Sequence, residues 1–120
     1  MPRTATTINA ARLGGAYVIK FSHSDVLDPE SLRHVRDEIK RRLDTEERLK
    51  IVLDMQDVVL LSSEAIGMIV VLSNVLRPRG GQLHLANVSD ETYTVFEIMK
   101  LHEIVKVFDT IPGAISAFAA

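Results

Sequence analysis

Three neighbouring side chains carry the chemical interest of this sequence: Ser62, Ser63 and Glu64, where an apolar run ends and a helical pattern begins. Hydroxyls at a helix start can cap it, accept a phosphate or meet a partner, because unpaired N-terminal amides and the helix dipole favour oxygen and negative charge there. Ser62 reads as the N-cap, worth about 1 kcal/mol. Glu64 falls in the first turn, where its charge stabilises the helix by roughly 0.3 to 1 kcal/mol. Nucleophilic catalysis by either serine calls for a histidine base and an orienting carboxylate, or for a G-x-S-x-G elbow, and no glycines flank the pair in that frame.

Other chemistries are weaker still. His23, His34, His84 and His102 are scattered without metal-ligand spacing, so no metal is expected. Gly80-Gly81 follows a helix and precedes a strand, the reverse of a phosphate-binding loop, and no cofactor is expected. The Asp90-Glu91 pair sits at a helix start and is explained by the dipole. With no cysteine, disulfides, thiolate metal sites and thiol nucleophiles are excluded, which suits a reducing compartment. Sixteen acidic and 14 basic residues, net −2, are spread evenly and argue against nucleic acid as a partner. The N-terminal residues lack a signal-peptide core and no apolar run is long enough to span a bilayer, so a cytoplasmic protein without membrane contact is expected.

The elements that position the serines follow from local signals. At 120 residues, 47% of them hydrophobic, the chain suits one domain over 1–120. Gly14-Gly15 between alternating runs, Thr6 to Leu13 and Ala16 to Phe21, predicts an antiparallel hairpin. Asp28-Pro29-Glu30 then opens a first helix to about Thr45, with Leu32, Val35, Ile39 and Leu43 inward and a solvated outer face on which Asp37/Arg41 and Glu38/Arg42 can pair for about 0.3 kcal/mol each. A buried strand is expected over Lys50 to Met55, a second helix over Ser63 to Leu76, and a strand over Gln82 to Ala86 after the Arg79-Gly80-Gly81 turn. Ser89 caps a third helix with Val95, Ile98 and Met99 along an inner face, Val105 to Phe108 forms the last strand, and Thr110 caps a short final helix. The alternation predicts an α/β fold: a mixed sheet of about five strands, opening with the hairpin and continuing as β-α units, with about four helices. The second helix is apolar on two rows, Ile66, Ile69, Val70 and Ser73 on one and Met68, Val71, Leu72 and Val75 on the other. The second row is either covered within the chain or a contact surface.

This order of elements resembles the STAS domain, the fold of bacterial anti-sigma factor antagonists, over almost the whole chain. The most specific likeness is Leu53-Asp54, then Leu61-Ser62-Ser63-Glu64-Ala65-Ile66-Gly67, then Arg79-Gly80-Gly81-Gln82-Leu83. Leu27-Asp28 matches the start of the family's first helix, with Asp25 in place of its usual glycine, and Asn87-Val88-Ser89 and Phe96 to Leu101 match the third-helix region. The resemblance implies a non-enzymatic, bacterial, cytoplasmic regulator of transcription that binds an anti-sigma factor acting as a serine kinase. Asp28, Ser62, Ser63, Glu64, Ala65, Gly67 and Met68 are its implied partner-binding positions. In the family pattern Asp-Ser-Ser-Gly, the second serine takes the phosphate that drives the complex apart. Here Ser62 replaces the Asp, Ser63 keeps the first serine, Glu64 replaces the phosphorylated one and Ala65 replaces the glycine. Glu64 then either imitates the phosphorylated state, with one charge against nearly two, or marks a surface whose switch has been abandoned. Ser63 and Ser62 remain alternative phosphoacceptors. A scaffold subunit of a STAS-based signalling assembly, self-associating through the second row of helix two, is the alternative function, and a nucleotide-handling or hydrolytic α/β protein using Ser62, Ser63 and Asp28 is a remote third. A lone domain with no fused transporter segment points away from the transporter branch of the family.

Overall fold

The computed structural model describes residues 7–22, 26–27, 29–58 and 60–119. A five-stranded sheet runs in the order β1-β2-β4-β6-β7, formed by β1 Thr7–Leu13, β2 Ala16–Ser22, β4 Lys50–Asp54, β6 Gln82–Ala86 and β7 Lys106–Phe108. β1 and β2 pair antiparallel, and the remaining neighbours are parallel, as their helical crossovers require. The four helices are α1 Pro29–Leu43, α2 Ser63–Leu76, α3 Asp90–Ile98 and α4 Ile111–Ser116. Two further strands, β3 Val26–Leu27 and β5 Leu60–Leu61, form a small parallel sheet of their own that the sequence reading did not anticipate.

Alternation along the central strands divides the interior in two. Ile19 and Phe21 of β2, Ile51 and Leu53 of β4, and Leu83 and Leu85 of β6 face one side and pack under α1, α2 and α3 with Leu32, Val35, Ile39, Ile69, Leu72, Leu76 and Phe96. Val18, Val52 and Ala86 face the other side, where α4 and the turn after it cover them with Ala114, Ile111, Ile115 and Phe118. Both faces of the parallel strands are thus buried, which is why Ile51 to Leu53 reads as an unbroken apolar run.

The turn between α2 and β6 needs its glycines. Gly80, at φ 75°, ends the 3₁₀ turn Arg77–Arg79 in the left-handed region, and Gly81 N–H donates to Leu76 O at 3.0 Å. A Cβ at Gly81 would lie 2.5 Å from Leu49 O, so only glycine fits beside that carbonyl.

Two expectations about helix faces change. On α2 the buried set is Ala65, Ile66, Ile69, Leu72, Ser73 and Leu76. Leu72 therefore belongs to the core rather than to an outer row, and Met68 and Val75 pack partly against it. α1 lies beside α2, so the cover comes from within the chain and leaves Val71, 43% exposed, as the open member of that row. On α3 the inward residues are Thr92 and Phe96, whereas Val95, Ile98 and Met99 face out, Ile98 with 76% exposure. Thr92 tolerates burial because its hydroxyl accepts from Ser89 Oγ at 3.0 Å. Lys100, at φ 57°, then ends the helix, and Leu101 and Val105 complete the apolar slot that Phe96 begins. On α1, Glu38 takes Arg42 at 3.0 Å and also Arg41, and Asp37 meets Arg36 at 3.6 Å instead of Arg41. Tyr17 is clasped between Arg12 and Arg42, whose guanidinium lies 3.8 Å from the ring centre, which ties the hairpin to the end of α1.

Candidate functional site at the start of helix α2

The chain leaves β5 in an extended conformation at Ser62, φ −72° and ψ 162°, and turns directly into α2. Ala65 N–H donates to Ser62 Oγ at 3.1 Å, and Ile66 N–H donates to Ser62 O at 3.0 Å, so the serine caps the helix through side chain and backbone together. Its hydroxyl is thereby occupied. The side chains of Ser63 and Glu64 are exposed and make no hydrogen bond or ion pair with the described residues. Gly67 is exposed on the next turn with no heavy atom within 4 Å of where a Cβ would stand, and Met68 is half-buried beside it. Ala65 points the opposite way, fully buried, so its side chain supports the helix from beneath and is not a contact. The structure thus brings Ser62, Ser63, Glu64, Gly67 and Met68 to one surface around the helix start.

The small sheet sets what stands next to them. Leu27 pairs with Leu61 in β3 and β5, so the chain entering α1 runs in parallel beside the chain entering α2. Asp28 itself lies outside the described residues. α3 rests against β5, which places its outward strip of Val95, Ile98 and Met99 on the element adjoining the same helix start. The sequence places this strip on the inner face, because its spacing of three and four residues is also the signature of a core face.

Beneath the surface, Asp54 at the end of β4 is 3% exposed and accepts from Gln56 N–H at 3.1 Å and from Asn87 Nδ2 at 3.0 Å. Asn87 holds φ 59°, a conformation that asparagine tolerates better than most residues. The carboxylate therefore staples the turn after β4, which leads toward Ser62, to the turn after β6, which leads to Ser89. An Asp ending one strand and an Asn just past its neighbour was the available sequence signal.

The histidines do not converge. His34 is exposed on α1, His102 is near the end of α3, and His23 lies outside the described residues. His84 is buried on the α4 side of the sheet, where Nδ1–H donates to Ala114 O at 2.9 Å and the ring stacks on Phe118 at 3.9 Å. Burial pushes its pKa below the ordinary 6.5, opposed by the Ala114 hydrogen bond and aided by Lys106. Among the described residues no group of three His, Asp or Glu side chains could hold a metal ion, and no helix is long and apolar enough to cross a membrane.

Comparison with known proteins bears on this arrangement. The STAS domain family model matches residues 7–114. The chain belongs to the STAS domain family. Its fold is similar to an anti-sigma-factor antagonist (STAS) domain protein from Planctomyces limnophilus, at TM-score 0.77 and 18% identity over 92% of this chain and 95% of that one. It is also similar to the anti-sigma factor antagonist SpoIIAA in its unphosphorylated form, at TM-score 0.73 and 18% identity over 96% of each chain. The same STAS fold occurs within the murine Slc26a9 anion transporter, at TM-score 0.67 and 17% identity, where the match covers 91% of this chain but 18% of the transporter. No curated protein matches the sequence at a significant level. The α/β fold expected from the sequence, a mixed sheet of five strands with four helices, is that of the STAS domains, with the β3/β5 pair added.

Proposed function

We propose that this STAS domain is a non-enzymatic, cytoplasmic regulatory module that binds an anti-sigma factor or a related kinase-like protein through the start of α2, without a phosphoserine switch at the family's usual position. The observation that carries the reading is the state of Glu64: it stands where the family pattern has its phosphorylated serine, exposed and unpaired with the described residues, two residues after Ser62, whose hydroxyl is spent on capping. A carboxylate there is held by the helix dipole at roughly 0.3 to 1 kcal/mol and presents a permanent single charge to an approaching surface. Likeness to SpoIIAA and to the Planctomyces domain supports the choice of partner class. The apolar strip of Val95, Ile98 and Met99 beside β5 suits a protein partner, which can cover it, better than a small anion.

The test compares affinity capture by the native domain, Glu64→Ser and Glu64→Arg from the cells that make it, followed by binding curves for the captured partner. Restoring a neutral hydroxyl or reversing the charge is expected to change affinity by about tenfold or more, since a charge at a docking rim acts on partner choice and approach. Equal capture of the same partners by all three would end the proposal. Intact-mass measurement across Leu60 to Met68 supplies the second arm: phosphate on Ser63 or Ser62 would show a switch displaced by one or two positions and would refute the unswitched reading.

A further inference from the structure

The two edges of the central sheet are unlike. β7 is three residues long, too short to template another strand, whereas β1 runs for seven residues and pairs only with β2 among the described residues. Its register with β2 is unbroken, with no bulge, and it contains neither proline nor lysine, the usual guards of an open edge. Its one charge, Arg12, is turned back to Tyr17 and Glu46. Residues 9 to 13 are all exposed.

The hairpin turn fixes which backbone groups are free. Gly14 and Gly15, at φ 54° and 81°, make a two-residue loop closed by the pair Leu13 and Ala16. In such a hairpin the closing pair is hydrogen-bonded and the pattern alternates from there. Leu13, Ala11 and Asn9 therefore spend their backbone groups on β2, and Arg12, Ala10 and Ile8 aim theirs outward.

We infer that β1 is the joining edge of a homodimer, in which β1 of a second copy pairs antiparallel with it about a two-fold axis beside Ala10. That register sets Ala10 against the second copy's Ala10, and Ile8 and Arg12 against the second copy's Arg12 and Ile8. Every outward residue then falls in a hydrogen-bonded pair, two bonds to a pair, and two five-stranded sheets become continuous. An axis beside Ala10 is the one that gives all three outward residues of β1 a partner within the strand. Alongside it runs a trough of about 530 Å³ between the hairpin and α1, lined by Ala10, Ile19 and Val35 and by the polar side chains of His34, Asp37, Glu38 and Arg41. The lining carries both signs of charge, already paired within the chain as Glu38 with Arg41 and Asp37 with Arg36, so it selects neither a basic nor an acidic peptide. The self-complementary register is what favours a second copy over an unrelated strand.

Sedimentation equilibrium from about 1 µM to about 1 mM tests this, the range that a small strand-edge interface calls for. The expected result is a concentration-dependent dimer, with hydrogen exchange at Ala10 and Arg12 slowing as concentration rises while Asn9 and Ala11 are protected throughout. Ala10→Pro removes only an outward N–H, and Ala10→Lys sets two ammonium groups across the axis; each is expected to weaken dimerisation at least about tenfold with unchanged circular dichroism. If the proline variant misfolds, the lysine variant, on an exposed site, carries the test. A monomer throughout, or a dimer that both variants leave unchanged, would overturn the inference.

Discussion

Replacing Gly67 with alanine separates what the fold requires of this position from what a partner requires. Gly67 lies in the second turn of α2, and no heavy atom stands within 4 Å of the added methyl. Its φ is not in the left-handed region, so alanine enters without strain. Glycine in a helix interior costs roughly 0.5 to 1 kcal/mol relative to alanine, because it loses more backbone freedom on folding. Gly67→Ala is therefore expected to stabilise the domain by about 0.5 to 1 kcal/mol, which for a chain of this size raises Tm by roughly 2 to 6 °C. Urea unfolding followed by circular dichroism should show the midpoint rising with unchanged slope. Gly81→Ala is the contrasting case: its methyl meets Leu49 O at 2.5 Å and Leu76 O at 3.2 Å, backbone atoms that cannot swing aside, and a loss of about 1 to 3 kcal/mol is expected. If Gly67→Ala destabilised the isolated domain, the exposed placement of this turn, and with it the surface assigned to Ser63 and Glu64, would be wrong. If it stabilised the fold while weakening capture of the partner, the glycine serves close approach.

Further outcomes follow from burial and hydrogen bonding. Leu72→Ala is expected to cost about 2 to 5 kcal/mol and Val71→Ala less than about 0.5, and equal costs in urea unfolding would refute the assigned face of α2. Asp54→Ala strands Asn87 Nδ2 and Gln56 N–H and should cost roughly 1.5 to 3 kcal/mol by the same measurement; a neutral result would show that the staple between the two turns is dispensable. Because the folded pKa of His84 lies below 6.5, the unfolded chain binds more protons as pH falls past that value. Stability is then complete above about pH 7 and declines as pH drops toward the folded pKa, and His84→Gln should flatten this slope in unfolding curves taken between about pH 7 and 5. A slope unchanged by the substitution would assign the pH dependence to other groups.

Local signals in the sequence were enough for the helix limits and the turns. Ser62, Ser89 and Thr110 each cap the helix they precede, and α2 and β6 begin and end where their residues indicate. Such signals act over three or four residues, through one capping bond or one glycine conformation, and need no knowledge of the rest of the chain. The α/β order and the family likeness rest on the same short-range information, repeated along the chain. What a helix turns inward, however, depends on what lies across from it. The apolar strip of α3 could face either way by periodicity, and the fold turned Phe96 and a satisfied Thr92 inward because Leu101 and Val105 return to the same slot. Leu72 likewise became core because α1 and the sheet together enclose more than one stripe of α2. Two-residue strands such as β3 and β5 carry no period of their own and exist only through each other. The residues of the candidate site were therefore determined by sequence, and their grouping on one surface, with Ala65 beneath it, by tertiary packing, which alone weighs contacts between elements distant along the chain.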